Sequence, residues 1–399
     1  MNNNDSESLK ETPVLPHDII IYDILTRLPL ESVVRFTCVC KLWSKLLLNN
    51  KKFANLHQRR NSPSSSPPGI IDYKFDKNTR KCYLSLFDVD KSKRRIVRFK
   101  PETDYRVDNM EIKQSFNGLL LFCRCVKRNS VYDYIVYNPI TGRSVNLPVP
   151  DGIGLHNCEF CLGYDPVGEN YKSVCFGNYD DKYFCKILTL GEFGRDSWRN
   201  LVKPGFGFNT PFSFVRNGVV FSIGVLYWIS DGTEEPKTVK KTIYSIDLTT
   251  ETLYTTKIPN DASQNVDFCN LVEMGGLLCY YELNHKDKLV KLWVLKKNID
   301  NQCEWVRERN IELAKSFQNA VGVLSYEDFK YNCHLIEIVT NPKPKIIFMW
   351  YGAREVDDED ALLSYEYYSC DVELNKIELI LGSKMDGKGD WHVNSIAYL

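Results

Sequence analysis

Apolar residues follow two unlike rhythms along this chain. From Leu15 to His57 they recur at spacings of three and four, and from Ile70 to Leu399 they come in short runs broken by Gly, Asn, Asp and Pro. The first spacing is that of helices packed on one face, the second that of strands and turns. Within the first stretch, Pro16 suits an opening helical turn, where its missing N–H costs nothing. On a wheel of 100° per residue, Ile20, Ile21, Ile24, Leu25 and Leu28 form one stripe. Asp23, Thr26 and Arg27 lie opposite with Ile19 among them, and Pro29 stops the helix. A second helix carries Val33, Phe36 and Cys40, and a third carries Trp43, Leu46 and Leu47, with Phe53 and Leu56 following. Three helices of this size are too small to bury a self-sufficient core. Leu25, Phe36 and Leu46 are assigned to the interior, whereas Leu15, Pro16 and Ile19 are left over and expect a partner.

Composition punctuates the chain into a polar leader (1–11), the helical stretch (12–60), a Ser/Pro linker (61–69) and a strand-rich remainder (70–399). The remainder repeats. Apolar strands end on a small or polar residue at Asp88, Asn138, Gly191, Asp247, Lys296 and Asp371, at intervals of 50, 53, 56, 49 and 75 residues. Asn117-Gly118, Asn217-Gly218 and Gly275-Gly276 each precede such a strand, and Trp198 and Trp305 mark a further strand after the turn. Units of 40–50 residues with several strands read as propeller blades, six in number. A pair of β-sandwiches is the alternative that the same strand density permits. The last strand, 392–399, is expected to pair with the first blade, and the acidic insertion at 355–360 to form a solvated loop. The fold class is therefore mainly β with a small N-terminal α module.

Charge and cysteine content narrow the partners. With 51 basic and 51 acidic residues the net charge is zero, which predicts neither nucleic-acid nor membrane binding. No apolar run approaches the length of a membrane helix, and the polar, acidic start is unlike a signal peptide. The 14 cysteines, most of them in strand-like runs, then fit small hydrophobes in the reducing cytosol or nucleus.

Catalytic patterns are thin. Neither a P-loop nor G-x-G-x-x-G, H-E-x-x-H or G-x-S-x-G occurs, and Gly205-Phe-Gly207-Phe-Asn-Thr210 fails as a glycine-rich loop at its last position. Cys158-x-x-Cys161 beside His156 lacks the second ligand pair that structural zinc requires. No catalytic residue, metal or cofactor is assigned. The basic run Lys91–Arg95 between two strands reads as a solvated hairpin tip. Trp228 and Trp350 could stack on a glycan or other small ligand, but their apolar neighbours place them in blade cores. A propeller enzyme is a further alternative, requiring His, Asp and Tyr to converge on a central channel.

Two resemblances follow from particular residues. Leu15-Pro16-x-Asp18-Ile19, Ile24-Leu25-x-Arg27-Leu28-Pro29, Ser32-Val33-x-Arg35-Phe36 and Val39-Cys40-Lys41-x-Trp43 resemble the F-box of plant-type F-box proteins. That resemblance implies a three-helix module docking on a Skp-type adaptor and, through it, on a cullin-based ubiquitin ligase. Leu15, Pro16, Ile19, Ile24, Leu28, Pro29, Val39, Cys40 and Trp43 would contact the adaptor or brace the helices that do. Phe116-Asn117-Gly118-Leu119-Leu120, Tyr137-Asn138-Pro139, Gly163-Tyr164-Asp165-Pro166 and Gly224-Val225-Leu226-Tyr227-Trp228 resemble the kelch-like F-box-associated domain. In that family the domain recognises a target protein. No target-binding residues travel with these motifs, and Asn138-Pro139 and Asp165-Pro166 are explained by turn chemistry alone. The expected function is that of a non-catalytic adaptor holding a target protein for ubiquitination.

Overall fold

The computed structural model describes residues 15–60, 69–76, 81–88, 94–99, 109–126, 131–150, 158–179, 182–191, 197–201, 219–234, 238–263, 268–284, 289–297, 302–312, 333–339, 345–353, 363–371, 376–383 and 389–392. The chain divides into two compact units, one helical and one built of strands.

The helical unit departs from the three helices expected. Its first segment is a π-helical turn, Ile19–Ile24, tightening into a 3-10 turn, Leu25–Arg27. Then come α1 (Leu30–Phe36), α2 (Lys41–Asn49) and α3 (Lys51–Arg60). Bonding to the fifth residue rather than the fourth puts more residues in each turn, so the 100° wheel fails there. Ile21 and Leu25 are buried, but Ile24 faces solvent, and Thr26 is buried rather than on a polar side. Its hydroxyl can be buried because it donates to the Tyr22 carbonyl at 2.6 Å. Cys40 lies outside α1; extended at φ −157°, it caps α2, its sulfur accepting from Trp43 N–H at 3.4 Å. Asn50 breaks the expected third helix in two, its Oδ1 accepting from Phe53 N–H at 3.0 Å.

Among the described residues the strand unit forms six four-stranded antiparallel sheets. The first contains β1 (Gly69–Asp76), β2 (Lys81–Asp88) and β3 (Arg94–Phe99). The second runs β4 (Asn109–Phe116), β5 (Leu119–Val126), β6 (Val131–Tyr137), β7 (Ser144–Leu147). The third runs β8 (Cys158–Asp165), β9 (Asn170–Tyr179), β10 (Lys182–Thr189), β11 (Arg199–Asn200). The fourth runs β12 (Val220–Ser222), β13 (Val225–Glu234), β14 (Thr238–Asp247), β15 (Thr252–Lys257). The fifth runs β16 (Phe268–Met274), β17 (Leu277–Asn284), β18 (Leu289–Lys297), β19 (Cys303–Glu312). The sixth runs β20 (Cys333–Val339), β21 (Lys345–Ala353), β22 (Leu363–Asp371), β23 (Lys376–Ser383). Finally β24 (Gly389–His392) pairs with β1, Gly69 opposite His392, and completes the first sheet. The closing strand thus sits earlier than expected; of 392–399 only His392 lies within the described residues. Opening strands of successive sheets lie beside one another: β24 by β4, β4 by β8, β12 by β16 and β16 by β20. This is the propeller arrangement, not a pair of sandwiches.

Cores form between sheets. Ile71 and Leu84 of the first pack on Met110, Leu120, Phe122 and Ile135 of the second. Phe176 and Ile187 of the third pack on Leu226, Trp228 and Ile246 of the fourth. Gly163 permits that seam, since a Cβ there would lie 2.3 Å from Leu248 Cδ1. The tryptophan repeat has a structural meaning too. Trp198 donates its indole N–H to the Pro148 carbonyl at 2.7 Å, and Trp305 does the same to Lys257 at 2.8 Å. Each ties the outermost strand of one sheet to the end of the preceding sheet's outermost strand.

The turns obey local chemistry. Asn138 Oδ1 accepts from the N–H groups of Ile140 and Thr141, Asp165 Oδ1 from Val167 and Gly168, and Asp247 Oδ1 from Thr249 and Thr250. Tight two-residue hairpins with both φ positive join β4–β5 at Asn117-Gly118, β12–β13 at Ile223-Gly224 and β16–β17 at Gly275-Gly276. In the fourth sheet the repeat therefore falls on Ile223-Gly224, not on Asn217-Gly218, which lies outside the described residues. Ile223 is β-branched at φ +43° and 71% exposed. Ile223→Asn is expected to stabilise the fold by about 1 kcal/mol, read as a higher urea midpoint, because left-handed backbone costs a branched side chain about that much. A lower midpoint would mean that the side chain's packing beside Gly276 outweighs the strain.

Candidate docking surface

Helix capping and burial decide which side chains of the helical unit are left outside. Ile21, Leu25, Val33, Leu47, Phe53 and Ala54 fill its interior. Of the residues assigned inward, Leu25 is buried, while Phe36 and Leu46 are half-buried. Phe36 stands edge-on to Trp43 with ring centres 5.6 Å apart. Tyr22 gathers the unit's polar contacts. Asn50 Nδ2 donates to its hydroxyl at 3.1 Å, Lys52 Nζ sits 4.5 Å above its ring, and Arg60 donates to its carbonyl.

His57 closes the same interior. Its Nε2–H donates to the Leu28 carbonyl at 3.0 Å and its ring stacks near Phe53. Burial holds its pKa below the ordinary histidine value, against the raising effect of that bond. As pH falls, the unfolded chain binds the proton first. Stability held above the unfolded histidine's pKa, about 6.5, is therefore lost on acidification below it. Thermal melts of the helical signal should fall from pH 7.5 to pH 5.5, and His57→Gln, which keeps an amide donor, should flatten that dependence.

The nine residues expected at a partner surface fall into three stretches. On the N-terminal turn, Leu15 is 53% exposed, Ile19 40% and Ile24 43%, and Pro16 is exposed with its carbonyl accepting from Ile19 N–H. At the α1–α2 corner, Val39 is 62% exposed and Cys40 is exposed, with Trp43 half-buried behind them. Leu28 is half-buried, its carbonyl held by His57, and Pro29 is exposed at the start of α1. One exposed apolar residue was missed by sequence reasoning. Leu42, on the first turn of α2, is 53% exposed. The signal was available: Leu42 lies on the same wheel arc as Lys41 and Lys45, a polar face.

Sites considered in the strand unit resolve differently. Trp228 is buried, with its ring stacked on Phe176 at 5.5 Å and on Tyr244 at 5.8 Å, so it offers no open face to a glycan. Cys158 and Cys161 sit three apart on β8 and so face opposite sides of the sheet, with Cys161 sulfur toward the Val174 carbonyl. Arg94 and Arg95 open β3 opposite Phe87 and Leu86. His156, Lys91–Lys93, the glycine-rich stretch at 205–210 and the acidic run at 355–360 lie outside the described residues, as does the Trp350 side chain.

Comparison with known families decides the assignment. A model of the F-box domain matches residues 14–55, and one of the F-box associated beta propeller domain matches residues 71–354. The chain belongs to the F-box associated beta propeller family. This F-box protein is similar to "F-box protein At1g30790" of Arabidopsis thaliana, 28% identical over 325 residues, 75% of each chain. It is also similar to "F-box protein At1g67130" of the same plant, 27% identical over 300 residues, 71% of this chain and 58% of the other. Among solved structures, the β-propeller domain of the Trilobed protease from Pyrococcus furiosus aligns with a TM-score of 0.36 at 10% identity, over 79% of this chain and 92% of that one. Among the described residues of this F-box protein, no helix is long and apolar enough to cross a membrane.

Proposed function

We propose that this F-box protein is the substrate-recognition subunit of a Skp–cullin–F-box ubiquitin ligase. The helical unit, residues 12–60, docks on a Skp-type adaptor, and the strand unit, residues 70–399, holds a target protein. The observation that carries this reading is the placement of exposed apolar side chains. Leu15, Ile19, Ile24, Val39 and Leu42 make up five of the eleven large hydrophobics exposed among the described residues, and all five belong to the small helical unit. A unit of that size exposes such residues at a cost unless a partner covers them. The adaptor surface is assigned to Leu15, Pro16, Ile19, Ile24, Leu28, Pro29, Val39, Cys40 and Trp43, with Leu42 added.

In this reading the chain contributes no reacting group. It acts by tethering, which turns a bimolecular encounter into an intramolecular one at up to about mM effective concentration. The compartment proposed is the cytosol or nucleus, where cysteine thiols stay reduced.

Purified full-length protein should co-elute with a Skp-type adaptor. Leu15→Ala with Pro16→Ala should weaken that complex about tenfold in calorimetric titration, the loss expected when one buried leucine side chain is truncated. A complex of unchanged affinity would remove the assigned surface. Affinity capture with the proteasome blocked should recover targets with the full chain and with a chain lacking residues 1–60, but adaptor and cullin only with the full chain.

A further inference from the structure

The whole-chain charge of zero conceals a local imbalance. Residues 15–60 hold eight basic and three acidic side chains, and the acids all precede α2. From Lys41 to Arg60 there are six basic residues and no acid. Some of these have partners within the unit: Lys52 stands over the Tyr22 ring, and Arg60 lies 3.5 Å from Asp23. Lys41 and Lys45 are placed differently. At 100° per residue, Lys41, Lys45, Asn49 and Leu42 occupy one arc of α2, and all four are exposed. Buried Leu47 points the opposite way. Just upstream, exposed Val39 and Cys40 continue the same corner into an apolar edge.

We infer that this face of α2 is a charged flank of the docking surface, and that the partner segment it meets is a protein surface carrying acidic side chains around an apolar contact. The inference rests on the adaptor reading above and specifies the chemistry of the adaptor's contacting edge. Two features of the arc make the choice. A pair of exposed lysines one turn apart, within a stretch of uniform sign, attracts an acidic surface over about a Debye length and so accelerates encounter. Exposed Leu42 on the arc and Val39 just before it gain only from a partner that buries hydrocarbon, which a protein surface offers and a nucleic-acid backbone does not. Lys41 and Lys45 then act chiefly on association and Leu42 on dissociation.

The test measures association and dissociation rates of the full chain with a purified Skp-type adaptor at 50 and 300 mM NaCl. The wild-type association rate should fall about tenfold across that range. Lys41→Glu with Lys45→Glu should slow association about tenfold or more at 50 mM, change dissociation less than twofold and flatten the salt dependence. Leu42→Ala should instead speed dissociation. Lys257→Glu with Lys297→Glu, the same charge change on exposed residues of the strand unit, is the control. All variants stay on exposed positions, and their unchanged melting temperature verifies the fold. Binding that is absent in the wild type would end the adaptor reading itself. Wild-type binding with a salt-independent rate would end this inference alone, as would an equal loss in the control. So would capture of a DNA duplex that Lys41→Glu with Lys45→Glu abolishes while adaptor rates stay unchanged.

Discussion

Replacing Trp228 by alanine is expected to cost about 3–5 kcal/mol of stability, the range for removing a large aromatic from a packed interior. The indole is 1% exposed and stands between two rings at the seam of the third and fourth sheets: Phe176 from β9, tilted by only 6°, and Tyr244, its cross-strand partner on β14. Truncation opens a cavity that Leu226, Ile246 and Leu248 border but cannot fill without moving their strands. Against a typical total of about 5–15 kcal/mol, a loss of that size removes much of what holds the strand unit folded. Urea unfolding followed by strand circular dichroism should show a large drop in midpoint, and Trp228→Phe, which preserves a stacked ring, a smaller one. The comparison also separates two readings of this residue. A tryptophan kept for sugar stacking would be dispensable to the fold, and alanine would leave the midpoint in place.

Much of the strand unit is visible in the sequence because one strand of each blade carries a repeated apolar run with a polar stop. The runs ending near Asp88, Asn138, Gly191, Asp247, Lys296 and Asp371 are β2, β6, β10, β14, β18 and β22. Each is the third strand of its sheet. That regularity has a physical source. The third strand has neighbours on both sides and must be apolar, and the turn after it must reverse within a few residues, which selects Asn or Asp able to accept from its own turn's N–H groups. The hairpin between first and second strands is less legible. Asn117-Gly118 and Gly275-Gly276 announce themselves, whereas the fourth sheet uses Ile223, a residue that hairpin chemistry disfavours, and so Asn217-Gly218 attracts the assignment instead.

The helical unit shows the opposite balance. Its outward residues Leu15, Pro16 and Ile19 are legible as surplus because there is too little chain to cover them. Its first turn is less legible: a period of 3.6 does not describe a π-helical turn, so the wheel groups exposed Ile24 with buried Ile21 and Leu25 and sets buried Thr26 on the polar side. The burial of His57 was equally hidden. Only the fold brings the Leu28 carbonyl, 29 residues earlier, within 3.0 Å of its ring nitrogen. Local chemistry is legible wherever donor and acceptor are neighbours in sequence; seams between distant segments are not.

The seam between the third and fourth sheets holds the least legible device, and its disruption should be costly. Lys172, on β9, is 7% exposed at its side chain, yet its nearest carboxylates are Asp165 at 3.1 Å and Glu251 at 3.0 Å, the latter 79 residues away. Its ammonium also donates to the Leu248 carbonyl. Arg199 reaches the same Glu251, and Thr249 donates to Asp165 Oδ1 at 2.8 Å. Burial pushes both carboxyls upward, but the hydrogen bonds from Gly168, Thr249 and Lys172 to Asp165, and from Arg199 and Lys172 to Glu251, outweigh it and leave both pKa values below normal. Carboxylates depressed in the fold add stability above their unfolded pKa, about 4, and lose it as pH falls through the folded values. Lys172→Met keeps the hydrocarbon stem but strands the buried Asp165 carboxylate, while Glu251 keeps Arg199, at an expected cost of about 3 kcal/mol at pH 7. The cost should shrink at pH 4, where the abandoned Asp165 carboxyl takes up a proton. Adding Asp165→Asn to Lys172→Met should recover part of the loss. An amide oxygen still accepts from Val167, Gly168 and Thr249, while the unpaired charge is gone. In the wild-type background the same Asp165→Asn change should be destabilising, and the opposite signs would give a double-mutant coupling of about 1–3 kcal/mol. Additive effects across the cycle would show that Lys172 and Asp165 are neighbours without energetic consequence, and that the apolar cluster around Trp228 holds this seam unaided.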